Sequence, residues 1–517
     1  MAGTRFIRCC AAVSVTLLML SGCSGGKKPG NGESGKPGGA QPGGEKPIAS
    51  EPMAHDAGPA HVDLLAVNRT AKNTVTARLR VVNDGKDSLS LDGVFEDSGF
   101  KANSSTTANG ITLLDGENDK VYYPLATGSG TCMCSDLSAV DLEAGKSQEI
   151  YAVFPAPPPT TKQITVWAPL TVPFMGVSIG TGQAPSAPDQ TLDPAKVPLG
   201  QPTIRPLIDT AENDQQSVDT DDSSENVRLS ADVLFAFNKA DLTPKANAVL
   251  QGVAKQIDSS RGNTVKIDGY TDNSGSDTVN QPLSERRAQA VQGAFKGMVT
   301  RQGVIYQAAG HGSQNPIAKN DSDAGRKRNR RVAIVFAKPP VPQSAPPASS
   351  GGTPLQWTPG GKLPVIATTR PNFGSGASNV EQEANNFKLD VNSLHRDPSG
   401  LVTLVWTVTN VSSADQSIAG GPFGRYLSLE YSVPFSASGV SLVDKAGQMQ
   451  YWPSRDGQGV CICNTMNVDS HGTQTLGPNT SATFADVYKM PAGVTSADIK
   501  FSWLGSPVPP AAGVPVK

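Results

Sequence analysis

What this 517-residue sequence lacks narrows its function first. Beyond the N-terminal segment, no apolar run approaches the roughly 20 residues that a bilayer-spanning helix needs. Five histidines in the whole chain leave few options for acid–base or metal chemistry. His61, His311, His395 and His471, which fall in the folded bodies, show no metal-ligand spacing. No nucleophile–base set stands out, so the sequence reads as non-enzymatic, with no cofactor and no metal site. A net charge of -2 gives the chain no polyanion-binding signature, so nucleic acid is not an expected partner. Cysteine is scarce and segregated: of seven, Cys9, Cys10 and Cys23 lie near the start, and Cys132, Cys134, Cys461 and Cys463 form two CxC pairs.

Glycine and proline, by contrast, are abundant, at 53 and 41 residues, and they cluster in segments as they do in domains on linkers. The first of these segments follows an export signal. Arg5 and Arg8 precede the apolar run CCAAVSVTLLML, and Leu20-Ser21-Gly22-Cys23 follows. That tetrad resembles the lipobox of bacterial lipoproteins. The resemblance implies a signal peptide over 1–22 and a lipidated Cys23 anchoring the chain to a membrane on its extracytoplasmic side. Residues 23–55, rich in Gly and Pro, read as a disordered tether. An acidic linker is expected over 181–225 and a Pro/Ser/Gly-rich one over 339–379.

Three bodies remain, at 56–180, 226–338 and 380–511. The first and third resemble each other. TVTARLRVVNDG (74–85) parallels LVTLVWTVTNVS (401–412), GITLLDGENDKVYYP (110–124) parallels GVSLVDKAGQMQYWP (439–453), and GTCMCSDL (130–137) parallels GVCICNTM (459–466). Each copy is a series of short alternating runs of Val, Thr, Leu and Tyr separated by turn residues, the pattern of an all-β, immunoglobulin-like sandwich. A membrane β-barrel fits less well, because the runs are short and irregular.

Outside the cytoplasm the CxC thiols tend to be oxidised. Each pair either closes on itself or cross-links to the other copy. Local closure is the expectation for Cys132/Cys134 and Cys461/Cys463, and it needs a turn that Gly130 and Gly459 supply. A Cu(I)-thiolate site is the other possibility, but no Met or His cluster recurs beside both pairs.

The middle body changes character. A strand over Val233–Phe237, then a helix capped by Asp241 or Thr243 with Pro244 in its first turn, opens a βαβαβ-αβ order with helices on one sheet face. A second helix is expected to begin with Pro282 in its first turn. Within this body, LFAFNKADL, GYTDNSGSDTVNQPLSERRAQAV, AAGHGSQNPIAKND and GRKRNRRVAIVF resemble the peptidoglycan-binding domain of the OmpA family in four separated blocks. The pattern TD-x-x-G, N-x-x-L-S-x-x-R-A-x-x-V is met at Thr271, Asp272, Gly275, Asn280, Leu283, Ser284, Arg287, Ala288 and Val291. Tyr270 stands where His is common.

The resemblance implies recognition of diaminopimelate in the peptide stem of peptidoglycan. Asp272 would take the ammonium and Arg287 the carboxylate, with Thr271, Asn280, Asn238 and Arg331 nearby. The chemistry agrees: an acceptor-only carboxylate and a forked guanidinium suit the two poles of a zwitterion. The domain carries 17 basic and 9 acidic residues, a balance of +8, which can meet anionic wall polymers or solvate the surface. His311 reads as structural. The expected function is a membrane-to-wall tether whose flanking β bodies contact an envelope protein partner, another wall component or each other. The competing reading is a metal- or redox-handling envelope protein built on the CxC pairs.

Overall fold

Apolar-polar alternation dictates most of the architecture. The computed structural model describes residues 45–54, 58–96, 106–182, 192–339, 357–419, 439–464, 473–503 and 506–517. Cys23, the signal segment, most of the tether and His471 lie outside the described residues. Lys46–Lys517 form one compact unit.

The first body holds β1 (Ala49–Met53), β2 (Ala60–Thr70), β3 (Thr74–Asn83), β4 (Thr112–Asp115), β5 (Lys120–Tyr122), β6 (Ser147–Pro155), β7 (Gln163–Trp167) and β8 (Phe174–Ser178). One antiparallel sheet runs β1-β2-β3-β6, and β8-β7-β4-β5 runs along the second. Their inner faces share a core that includes Leu64, Leu79, Leu113, Phe154 and Phe174. β1 lies inside the segment whose composition reads as tether. Glu51 and Met53 at its end are buried against β2, so the tether ends sooner than composition suggests.

The acidic stretch departs furthest from expectation. Where composition reads a linker, the chain forms β9 (Ile204–Glu212), β10 (Gln216–Thr220) and β11 (Ser224–Ser230). Ile204–Pro206 pair with β5 of the first body, and Asp209–Glu212 pair with β10. β11 in turn pairs with a strand of the middle body. The carboxylates that make the segment look disordered find basic partners far away in sequence, which composition cannot register. Asp219 accepts from Arg228 and from Arg455, the latter at 2.7 Å. Glu212 accepts from Arg328 at 2.9 Å and from the Trp452 indole at 2.7 Å.

The middle body continues with α1 (Ala231–Leu234), α2 (Pro244–Ser259), β12 (Thr264–Gly269), α3 (Asp277–Met298), β13 (Ile305–Gly310), α4 (Asp323–Asn329) and β14 (Arg331–Ala337). Its sheet order is β11-β14-β12-β13, with β12 and β13 parallel and joined through α3. Leu250, Val253, Ile257, Ala288, Val291 and Phe295 of α2 and α3 pack against Val265, Ile267, Val332 and Ile334 of the sheet. Thr243 caps α2, accepting from the Ala246 amide at 3.2 Å, with Pro244 at the first position.

Two local expectations are corrected. Val233–Phe237 is not the first strand: Leu234 and Phe235 are both buried, and neighbours on a half-buried strand face opposite sides. Burial of Ala231 and Leu234 instead fits a single helical turn, and β11 supplies the strand. Pro282 does not start α3 but lies inside it, because the helix begins at Asp277. A proline at that depth gives up the bond its amide would make to the Thr278 carbonyl in the first turn, and its ring crowds that carbonyl.

The third body holds β15 (Ala367–Thr369), β16 (Phe387–Arg396), β17 (Leu401–Asn410), β18 (Ser441–Asp444), β19 (Met449–Asp456), β20 (Ser481–Lys489), β21 (Ser496–Lys500) and β22 (Ala511–Pro515). β15 falls in the segment expected as linker over 339–379, of which 340–356 lies outside the described residues. The sheet β15-β16-β17-β20 matches β1-β2-β3-β6 strand for strand. Both carry a register shift at one place, between Leu64 and Ala66 and between Val391 and Ser393. Asn83 and Asn410 also do one job, each donating to the carbonyl of a distant leucine, Leu142 and Leu476, at 2.8 Å.

Each CxC closes on itself, Cys132 with Cys134 and Cys461 with Cys463, at Cα separations of 5.3 and 5.2 Å. Gly130 and Gly459, at φ 89° and 84°, make the preceding turns. The sulfurs enter their own cores, while Met133 and Ile462 between them face away into other clusters.

The three bodies meet around β9, which pairs with β19 of the third body as well. Leu114, Val121, Tyr123, Leu207, Leu401, Ile462 and Val487 form a shared apolar cluster there. Around it, Tyr123 donates to Asp456 at 2.8 Å, Thr165 to Asp397 at 2.9 Å, and Lys338 and Lys489 both to Asp119.

Candidate functional site

The site is built where β12 ends and α3 begins. Gly269 and Gly310 sit opposite each other on β12 and β13. A Cβ on Gly269 would meet the Ser284 carbonyl oxygen at 2.2 Å, and one on Gly310 the Glu285 amide at 2.3 Å. Two glycines thus let the α3 backbone rest on the sheet, which sets the height of Arg287 one turn further on. The loop between is pinned by its own amides: Tyr270 donates to the Arg331 carbonyl at 2.9 Å and Thr271 to that of Gly312 at 2.8 Å. Gly275, at φ 90°, turns the chain toward the helix. Asn280 locks that turn by donating to the Ser274 carbonyl at 3.1 Å.

Asp272 is buried, and its carboxylate is held from two sides. Oδ1 accepts from the Ser274 amide at 2.8 Å, and Oδ2 from Arg330 Nη1 at 2.7 Å. Arg330 is itself gripped by Asp232, through Nε at 2.9 Å and Nη2 at 2.7 Å. Burial pushes the Asp272 carboxyl up, but the bonds from Arg330 and Ser274 outweigh it and hold it below its ordinary value.

Arg287 is buried beside this cluster without joining it. Nε donates to the Lys239 carbonyl at 3.0 Å, and the guanidinium lies 5.2 Å from the Phe235 ring centre. Among the described residues its two Nη groups donate to no protein acceptor. Burial draws its pKa below that of an ordinary arginine, with Arg330 acting the same way and Asp232 and Asp272 opposing. The cation therefore feels Asp272 without an ion pair to it.

Of the six residues that the sequence singles out, Thr271 and Asp272 lie in the loop, with Asn280 and Arg287 beside them on α3. Asn238, exposed at φ 55°, belongs to the Phe235–Lys239 turn whose Lys239 carbonyl holds Arg287. Arg331 stands elsewhere. Its guanidinium stacks 3.8 Å over the Tyr270 ring and donates to the Asn315 carbonyl at 2.9 Å. It borders a cleft of about 250 Å³ shared with Glu212, Arg228 and Gln450 at the junction. Arg330 is the arginine that contacts Asp272, and sequence reasoning placed neither Arg330 nor Asp232 in the site. Successive residues entering a strand point to opposite faces, so only one of the two arginines reaches Asp272. His311 binds Asp268 at 2.8 Å and stacks on Tyr270, a structural setting.

Among the described residues no group of His, Cys, Asp or Glu could hold a metal ion. Nor is any helix among them long and apolar enough to cross a membrane.

Comparison with known proteins matches residues 234–330 to the OmpA family. The Escherichia coli protein "Putative lipoprotein YfiB" is 38% identical over 113 residues, which is 22% of this chain and 69% of that protein. The chain belongs to the OmpA family. The "Outer-membrane lipoprotein YfiB" of Pseudomonas aeruginosa is 35% identical over 123 residues, covering 23% of this chain and 71% of its own length. The "Peptidoglycan-binding protein ArfA" of Mycobacterium bovis is 37% identical over 116 residues, 22% of this chain and 34% of that protein. The OmpA-family match lies within the middle body, and the flanking β bodies lie outside it.

Proposed function

We propose that this protein is a cell-envelope lipoprotein that binds peptidoglycan non-covalently, tethering a membrane to the wall. Its OmpA-family domain takes the diaminopimelate of the stem peptide between Asp272 and Arg287. The observation that carries this reading is the state of the two charges. Arg287 is buried with both Nη arms unspent among the described residues, which suits a bidentate bond to a ligand carboxylate. The bonds from Ser274 and Arg330 take only part of the roughly four acceptor positions of the Asp272 carboxylate, so it keeps room for an ammonium beside Arg330. Arg330 keeps that carboxylate ionised and aimed. The name of the Mycobacterium bovis relative, a peptidoglycan-binding protein, points the same way.

Lipidation at Cys23 would anchor the chain, and Gly/Pro-rich residues 23–44 would let the folded unit stand off the membrane. The matching strand order, register shift and asparagine bonds support a duplication of one immunoglobulin-like unit into the first and third bodies. Sheet pairing through β9 makes these bodies a rigid mount for the wall-binding domain and a surface for an envelope partner. The role is binding rather than catalysis.

Co-sedimentation of the protein with purified peptidoglycan tests this reading. Wild type pellets with the wall, and Asp272→Ala and Arg287→Ala stay in the supernatant. Pelleting of both variants at the wild-type level would reject the site.

A further inference from the structure

The two CxC bridges look alike but face different neighbours. Cys134 lies opposite Ala152 of β6, and Cys463 lies opposite Asp486 of β20. Opposed residues of an antiparallel pair point to one face, with Cβ atoms about 4.5–5.5 Å apart. The Asp486 side chain therefore enters the third body's core beside the bridge. It is 0% exposed. Oδ2 accepts from the Trp406 indole at 2.7 Å, and Oδ1 has no hydrogen-bond partner among the described residues. A buried carboxyl so poorly satisfied costs stability. The first body does without one at the matching place.

We propose that Cys461–Cys463 is a thiol–disulfide exchange site that reacts with a dithiol, and that Asp486 is the proton donor to the departing Cys463 sulfur. Cys461 is 6% exposed and Cys463 3%, so the attack falls on Cys461. A thiolate of the dithiol bonds to Cys461 Sγ, the disulfide breaks, and its electron pair goes to Cys463 Sγ. That sulfur takes the Asp486 proton and leaves as a thiol. The second sulfur of the partner, as a thiolate, then attacks the mixed disulfide. The partner departs oxidised, Cys461 leaves as a thiolate that takes a proton from solvent, and Asp486 regains its own from solvent. Two electrons pass from the dithiol to the bridge. The reverse sequence oxidises an outside dithiol.

The donor matters because the leaving sulfur is in an apolar core. Burial there raises a thiol's pKa, and a high-pKa thiolate leaves slowly. Burial pushes the Asp486 carboxyl well above the ordinary range, which favours the protonated form the step needs. Cys134 faces Ala152 and has no such donor. Exposure alone would predict the opposite order, since Cys132 and Cys134 are 9% and 6% exposed. Ile462, held between the two reacting sulfurs, packs in the cluster that joins the first body, β9 and the third body. Opening the bridge therefore frees a side chain of the junction.

Timed alkylation and mass mapping of the oxidised full chain in dithiothreitol would follow both bridges in one molecule. The Cys461–Cys463 pair is expected to open first. Asp486→Asn slows that pair by about a hundred-fold, the usual worth of a placed general acid, and leaves Cys132–Cys134 unchanged. Asp486→Glu, which keeps the carboxyl, retains most of the rate. Opening of Cys132–Cys134 first, an unchanged rate in Asp486→Asn, or acceleration of both pairs in that variant would each overturn the proposal. So would an Asp486→Glu protein as slow as Asp486→Asn.

Discussion

Arg330, not Arg287, is the ion-pair partner of Asp272: Nη1 meets Oδ2 at 2.7 Å, while Asp232 holds the rest of the guanidinium. Arg287 spends only its Nε, on a backbone carbonyl. One arginine thus sets the charge state of Asp272, and the other keeps its Nη groups without a protein acceptor among the described residues. The division follows from chain direction, since Arg330 caps α4 and Arg287 projects from the middle of α3.

Arg330→Gln should therefore move the acid limit of wall binding. Burial acts to raise the Asp272 carboxyl, and the Arg330 and Ser274 bonds lower it past the ordinary value. Without Arg330 the burial contribution remains and the carboxyl titrates higher. A depressed carboxylate supports stability above its unfolded pKa and loses that support as pH falls through its folded value. In Arg330→Gln both this support and the ammonium-binding charge vanish at a higher pH than in wild type. Peptidoglycan pelleting between about pH 3 and 7 reads the shift against the ordinary aspartate value near 3.9.

Gly269→Ala should damage both fold and binding. The added methyl meets the Ser284 carbonyl oxygen at 2.2 Å, so α3 must lift and carry Arg287 with it. A loss of about 1–3 kcal/mol in urea unfolding is expected from overpacking, with wall binding reduced. Gly293→Ala on the same helix meets nothing within 4 Å. It should leave binding intact and gain up to about 1 kcal/mol.

Asp209→Asn tests the junction. The carboxyl is buried and accepts a hydrogen bond from Ser454. Burial is the largest influence on it and Lys489 opposes that, leaving a pKa raised from 3.8 to about 6. The sign follows: the folded state holds this proton more tightly, so stability is full below 3.8 and falls as pH rises through 6. The loss is on the order of 3 kcal/mol for a shift of this size. Thermal melts of wild type should decline across that window, and those of Asp209→Asn should decline less.

The sequence announced some of this and hid the rest for physical reasons. Alternation in 74–83 and 401–410, the Thr243-Pro244 helix start and the TD-x-x-G loop are local patterns, and each appears in the structure where its residues stand. Acidic residues 209–225 misled because a carboxylate's partner need not be near in sequence: Asp219 meets Arg455, and Glu212 meets Trp452. The apolar run Val233–Phe237 looked like a strand until burial of both Leu234 and Phe235 demanded a turn. Arg330 and Arg331 are chemically alike, and only the direction of β14 separates the one that reaches Asp272.

The most direct measurement is calorimetric binding of two soluble stem peptides, one with diaminopimelate at its third position and one with lysine. Lysine lacks the second zwitterionic centre that Asp272 and Arg287 would clamp. The account predicts binding of the diaminopimelate peptide alone, weakened in Arg287→Ala by the roughly 1.5–3 kcal/mol of a charge-assisted bond. Equal affinity for both peptides, or an unchanged affinity in Arg287→Ala, would contradict it.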